Sequence, residues 1–292
     1  MTISSLVEGG FRLIRERPGA MLIWTLIQLV VAIATSFAMT AILQAGMESV
    51  MSGEPEQSVQ LTIALQSLLM GLVGLVITAI LYAAVQRAIL RPDEGGPGWL
   101  RLGMDEVRYF LLILLCGALF LVAALVVGLF LYAILRGAGP AVATLATYIV
   151  LGLAGALLGT KVSLIFPLTL KRQAFAIGEG TALTRGRFWT LFATYFIIFL
   201  IMLVISVANM AVTQPEYLSA IFQYGFGSPQ EQQASSLQYQ KLMSGAIDAP
   251  IIIGWVLSAV EGSVSCALFG GAAATAVQQL SSDQGELSET FS

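Results

Sequence analysis

The sequence predicts an all-α membrane protein, a six-transmembrane-helix bundle with amphipathic cytoplasmic elbow helices and the outline of three repeated hairpins. Three observations predict it. Hydrophobic residues make up 57% of the 292-residue chain and charged residues only 11%, against roughly 25% charged in ordinary soluble domains, and mean hydropathy is +0.86. Six apolar stretches each reach the ~20 residues needed to cross a hydrocarbon core. Basic residues gather at alternate ends of those stretches, the bias that orients membrane proteins.

The stretches run over 19–45, 60–90, 107–135, 141–169, 188–213 and 250–280, inside one polytopic membrane domain covering 1–280. They are apolar on all faces, which excludes the alternating ~10-residue strands of a membrane β-barrel. The first follows a segment with polar and acidic residues and three arginines, and no Ala-x-Ala cleavage pattern follows it, so it reads as a retained helix. Arg12, Arg15 and Arg17 precede span one; Arg87, Arg91, Arg101 and Arg108 flank the connection after span two; Lys171, Arg172, Arg185 and Arg187 flank the connection after span four. The other side carries Glu48, Glu54 and Glu56, a lone Arg136, and Lys241 among acids. Positive-inside bias then places both termini in the cytoplasm. The segment 281–292 reads as an acidic, disordered cytoplasmic tail.

The three basic segments resemble one another. Each carries an amphipathic stretch ending near Arg and then an aromatic or apolar start to a span: Phe11 to Trp24, Trp99 to Phe110 and Phe175 to Trp189. Such stretches lie along a membrane surface. Arg101, Arg108, Lys171, Arg172, Arg185 and Arg187 are therefore candidates both for setting topology and for holding anionic lipid headgroups. On the outer side, 214–249 forms a loop in which Ser228, Pro229 and Glu231 have the spacing of an N-cap, first position and capping-box acid, predicting a short amphipathic helix.

Small residues predict where helices pack closely. Gly254, Ser258, Gly262, Cys266 and Gly270 recur every four residues in span six, and Gly152, Gly155 and Gly159 lie along span four. Cys116 and Cys266 lack any metal or redox spacing and read as small core residues. Pro167 frees a carbonyl one turn earlier and predicts a kink or helix end.

Lys161 and Glu261 each sit inside an apolar stretch, where a charge costs at least ~2.5 kcal/mol and is usually turned inward, paired or placed beside water. Lys161 precedes Lys171 by roughly 15 Å of helix and Glu261 follows Pro250 by roughly 16 Å, so both estimates fall near the middle of the bilayer. Three readings stand: an ion pair fixing two helices, a transport or proton-coupling site with Thr160, Ser163, Ser263 and Ser265 nearby, or separate snorkelling charges.

The run from Ala174 to Trp189, AFAIGEGTALTRGRFW, followed by an aromatic-rich span, resembles the membrane domain of some bacterial glycerophosphodiester phosphodiesterases and related six-helix inner-membrane proteins. The resemblance implies a six-helix fold in a bacterial inner, or plasma, membrane. It does not carry phosphodiesterase activity here, because no stretch outside the spans is long enough for that catalytic domain.

Function is then bounded by exclusion and by chemistry. A net charge of -3 and scattered basic residues argue against nucleic acid. The absence of His removes the commonest general base and metal ligand, and no cofactor is expected. Asp93, Glu94, Asp105 and Glu106 are the acids available to a membrane enzyme, and beside Arg they read as solvated elbow charges. The first expectation is a nonenzymatic scaffold, assembly factor or accessory subunit, touching the bilayer and a membrane-protein partner or second copy. The alternative is a transporter or lipid-handling protein using Lys161 and Glu261.

Overall fold

A computed structural model of the chain describes residues 1–51, 56–225 and 228–290. The fold is all-α, with no strand among the described residues. The helices are α1 Ile3–Glu16, α2 Pro18–Met51, α3 Glu56–Leu90, α4 Met104–Leu135, α5 Pro140–Val162, α6 Ile165–Arg172, α7 Ile177–Thr184, α8 Phe188–Thr213, α9 Pro215–Tyr224, α10 Pro229–Met243 and α11 Ala249–Thr290. Among the described residues, six segments are long and apolar enough to cross a membrane: Pro18–Gly46, Gln60–Leu90, Met104–Leu135, Val142–Arg172, Phe188–Thr213 and Ala249–Ser281. They coincide with the six expected stretches.

The fourth segment is broken as Pro167 predicts. Without an N–H, and with its ring against the carbonyl four residues back, a proline interrupts the ladder near residue 163. Helix α5 ends at Val162, Ser163 and Leu164 form a turn, and α6 resumes at Ile165. The last helix runs on through Thr290, where a disordered tail from residue 281 is expected; no proline interrupts it there.

The chain divides into two compact units. The first comprises Met1–Glu16, Leu75–Ile198 and Cys266–Ser292. Its core gathers Ala79 and Ala83 of α3, Tyr109 of α4 and Leu170 of α6, with Tyr82, Phe110 and Phe166 packed against them. Helix α1 is amphipathic and buries Leu6, Gly9, Gly10 and Leu13, one face at 3.6-residue spacing. That face lies on α11. A Cβ on Gly10 would come within 2.8 Å of the Leu268 backbone, and one on Gly271 within 2.8 Å of Gly10 Cα. The two backbones touch, and only glycine allows it.

The expected elbows differ from one another. Helices α1 and α7 form at the first and third. The second corrects the expectation of an amphipathic stretch from Trp99: the run from Pro92 to Gly98 holds three glycines and two prolines, and it forms only a 3-10 turn at Pro97–Trp99, with Gly98 and Trp99 at φ 64° and 53°. Helix α4 starts beyond it, where Glu106 accepts from the Gly103 N–H at 3.0 Å.

The second unit comprises Arg17–Gly74 and Phe199–Ser265. Helices α2 and α11 meet through Phe37 and Trp255, ring centroids 5.9 Å apart, and the Trp255 indole donates to Ser36 Oγ at 2.9 Å. In the outer segment Ser228 caps α10, accepting from the Glu231 N–H at 3.2 Å with Pro229 at the first position. Helix α9 is an addition to the sequence expectation; Pro215 at its start is the signal that marks it. Lys241 and Asp248 pair at 2.8 Å. Their hydrogen bond, and after it their opposite charges, favour the ionised form of each, so the lysine is held above its usual range and the aspartate below its own.

Substituting Gly10→Leu should lower the midpoint of thermal unfolding by an amount corresponding to about 1–3 kcal/mol, the usual cost of overpacking. Gly71→Leu, at a glycine with nothing within 4 Å, should leave it unchanged. Equal melting of both variants would show that α1 does not hold α11 in this way.

Candidate functional site

The densest polar construction in the first unit lies where α3 ends and α4 begins. Helix α3 delivers Gln86 and Arg87, which are 2% and 1% exposed. A guanidinium cannot be buried without partners, because desolvation alone costs several kcal/mol. Arg87 finds them in the elbow and in the first turn of α4. It donates to the Trp99 carbonyl at 2.7 Å and to the Glu106 carboxylate, with Asp105 3.9 Å away. The left-handed backbone at Gly98 and Trp99 belongs to the turn that supplies this carbonyl.

Around that centre the charges interlock. Asp105 accepts from Arg91 and from Arg108, each at 3.0 Å, and Glu94 receives Arg101 at 3.1 Å. Arg91 also donates to the carbonyl of Leu170, in the last turn of α6, satisfying a group that a helix end leaves open. Gln86 donates to Tyr109 OH at 3.0 Å. Asp105 and Glu106, expected as solvated elbow charges, are instead drawn into the protein: Glu106 is 6% exposed. The reason is reciprocal, since α3 ends on an arginine with nowhere else to put its charge. Sequence reading missed the pairing of Arg87 with Glu106. The available signal was the short connection between spans two and three, which forces their charged ends together.

The third elbow is organised differently. After α6 the chain turns at Gln173, in left-handed geometry at φ 55°, and α7 returns alongside. Gly180 packs on Ile165, where an added Cβ would lie 2.7 Å from Cα, and Thr184 Oγ1 donates to the Lys161 carbonyl at 3.3 Å. Lys161 is the last residue but one of α5, and α7 doubles back beside it. Its side chain is exposed. Arg172 pairs with Glu179 at 3.0 Å and Lys171 donates to Ser281; these residues border a pocket of ≈ 500 Å³ with Leu168, Leu183 and Val277. Arg185 and Arg187 are exposed.

Glu261 belongs to the second unit and is described there. Its carboxylate accepts from Asn209 Nδ2 at 2.9 Å, while Asn209 Oδ1 is buried with no partner among the described residues. The hydroxyls expected to line a path are largely spent on their own helices: Thr160 on Ala156, Ser163 on Thr160 and Ser263 on Ala259. Ser265 is half-buried.

Of the packing candidates, a Cβ added to Gly254 would lie 3.6 Å from Thr213, one on Gly262 3.2 Å from the Gln28 carboxamide and one on Gly270 2.9 Å from Val85. Cys266 is buried and Ser258 is exposed. Cys116 is only half-buried, short of the core position expected. In α5, Gly155 meets Phe120 at 3.1 Å, whereas Gly152 and Gly159 have nothing within 4 Å.

Six apolar spans with charge confined largely to their ends define a polytopic α-helical membrane protein. No family model, curated protein or solved structure matches the chain.

Arg87→Met and Glu106→Leu should each cost about 3–5 kcal/mol, because each strands the partner's buried charge, and the double substitution should recover much of the loss. Unfolding midpoints of the three variants in one detergent decide this. Additive destabilisation would show that the two residues do not act as a pair.

Proposed function

We propose that this chain is a nonenzymatic component of a bacterial inner membrane, a scaffold, assembly factor or accessory subunit, with its basic elbows among anionic headgroups and both termini in the cytoplasm. The observation that carries the reading is unspent packing surface on the third and fourth spans. Only 6% of the most apolar window of Met104–Leu135 is buried within the chain, and Gly152 and Gly159, seven residues apart and so on one face of α5, meet nothing. In lipid there is little hydrophobic force between helices, and bare glycines are what permit another helix to approach closely. A membrane-protein partner or second copy suits that face. The elbow charges support the reading too, because Arg87, Arg91 and their acids are spent on internal structure. The resemblance of the run from Ala174 to Trp189 to phosphodiesterase membrane domains agrees with a bacterial six-helix membrane protein.

A second reading, transport through a titrating carboxyl, is favoured by Glu261 and the unpartnered Asn209 Oδ1 beside it. The two readings separate by substitution. Gly152→Phe with Gly159→Phe fills open space, so the folded yield should hold while complementation of a deletion strain is lost; Glu261→Gln should complement. Loss of complementation in Glu261→Gln alone would overturn the scaffold reading in favour of transport.

Orientation is tested in a chain whose Cys116 and Cys266 are replaced. A single cysteine in place of Gln240 should react with an impermeant thiol reagent applied outside intact cells, and one in place of Gly178 should not. The reverse pattern inverts the topology.

A further inference from the structure

The return of α7 beside the α5–α6 joint brings three cations to one place. Thr184 holds the Lys161 carbonyl at 3.3 Å; Arg185 and Arg187 follow Thr184 directly, and α8 opens at Phe188. Lys161, Arg185 and Arg187 are all exposed, and none meets a carboxylate among the described residues. Trp189, in the first turn of α8, is 73% exposed and stands edge-on to Phe188 and Phe192, at 5.3 and 6.0 Å between centroids. Exposed Trp at the mouth of a span marks headgroup level. Lys161 lies in the last turn of α5, beside the end of α7 that leads into the next span.

We propose that Lys161, Arg185 and Arg187 form one site for the phosphate of an anionic phospholipid headgroup, at the joint of α5, α7 and α8. The inference rests on the reading that the basic elbows hold such headgroups; it adds a lysine from the preceding span and selects this joint over the other cations of the second and third elbows. Selection follows from pairing. Arg101 and Arg108 are tied to Glu94 and Asp105, Arg172 to Glu179 and Lys171 to Ser281, whereas these three side chains have no such partner among the described residues. Two guanidinium forks and one ammonium provide directed donors and a point charge for phosphate oxygens. The Trp189 ring provides the apolar shoulder where acyl chains begin.

The test uses the full-length chain in nanodiscs of phosphatidylcholine with a minor fraction of phosphatidylglycerol, counting retained lipid by native mass spectrometry. The unaltered chain should retain phosphatidylglycerol preferentially. Lys161→Gln should cut that preference by about fivefold, the factor expected for one basic side chain at an anionic surface; Lys161→Arg should keep it, and Arg185→Gln with Arg187→Gln should reduce it further. Lys241→Gln, on α10, should change nothing. Unchanged retention in Lys161→Gln with loss in the arginine variant removes Lys161 from the site and leaves the headgroup reading standing. No preference in the unaltered chain overturns both. Displacement of the lipid by free glycerol phosphate would show a soluble phosphate ligand and overturn the lipid assignment. Photoreactive phosphatidylglycerol on the unaltered chain checks the place without any variant: labelling of the peptides carrying Lys161 and Trp189 supports the site, and labelling confined to Lys171 and Arg172 overturns it.

Discussion

The first unit depends on a buried guanidinium. Arg87 closes an otherwise apolar helix at the point where the chain must reverse, and its charge cannot be left in a low-dielectric interior. Every polar feature of the second elbow follows from that. Trp99 turns its carbonyl inward through a left-handed bend, Glu106 rises from the first turn of α4 to neutralise the charge, and the same carboxylate caps α4 at Gly103. Asp105 then bridges Arg91 and Arg108, and Arg91 reaches the end of α6. One unavoidable desolvation cost thereby fixes the relative positions of three helix ends. A hydrophobic pair of similar volume could be as stable, but it would not specify which carbonyl and which helix terminus meet.

Away from charge, close contact is achieved by small residues. Ala272, Ala273, Ala274 and Ala276 of α11 are buried, as are Gly9 and Gly10 of α1 against them. Water drives amphipathic α1 to hide its apolar face, whereas segments within lipid gain little from hiding theirs. That difference accounts for the burial pattern: α6 buries five of its eight residues, while α4 beyond its first turns is largely bare. Bare apolar helix is stable when the surrounding solvent is hydrocarbon.

The six spans were legible because a threshold of about 20 apolar residues is a property of sequence alone. Local chemistry was legible too: Pro167 broke its helix, and Ser228 with Pro229 began α10. What escaped reading depends on the chain meeting itself. Nothing in the spacing of Gly9 and Gly10 announces that their partners are Leu268 and Gly271, and Arg87 is indistinguishable in sequence from an arginine that merely sets topology. The neighbours of Lys161 escaped for a related reason. Spacing along one helix says nothing of a later segment, and here α7 folds back beside the end of α5. The expectation that Asp105 and Glu106 are solvated failed because adjacency to Arg in sequence says nothing about a third helix supplying the cation that buries them.

The second and third basic elbows also differ in how their charge is balanced, and that difference separates structure from surface. The second sets Arg87, Arg91, Arg101 and Arg108 against Glu94, Asp105 and Glu106, with each arginine engaged by at least one acid. Its excess positive charge is small and its members are geometrically committed. The third sets Lys161, Lys171, Arg172, Arg185 and Arg187 against Glu179 alone, which is taken by Arg172. An uncompensated cluster of this kind raises the local potential, and in a bilayer with anionic lipid the nearest mobile counter-charge is a headgroup phosphate. Similar residue types at similar sequence positions therefore serve different ends: acids in the second elbow convert its arginines into internal struts, and their scarcity in the third leaves its cations directed at the membrane surface.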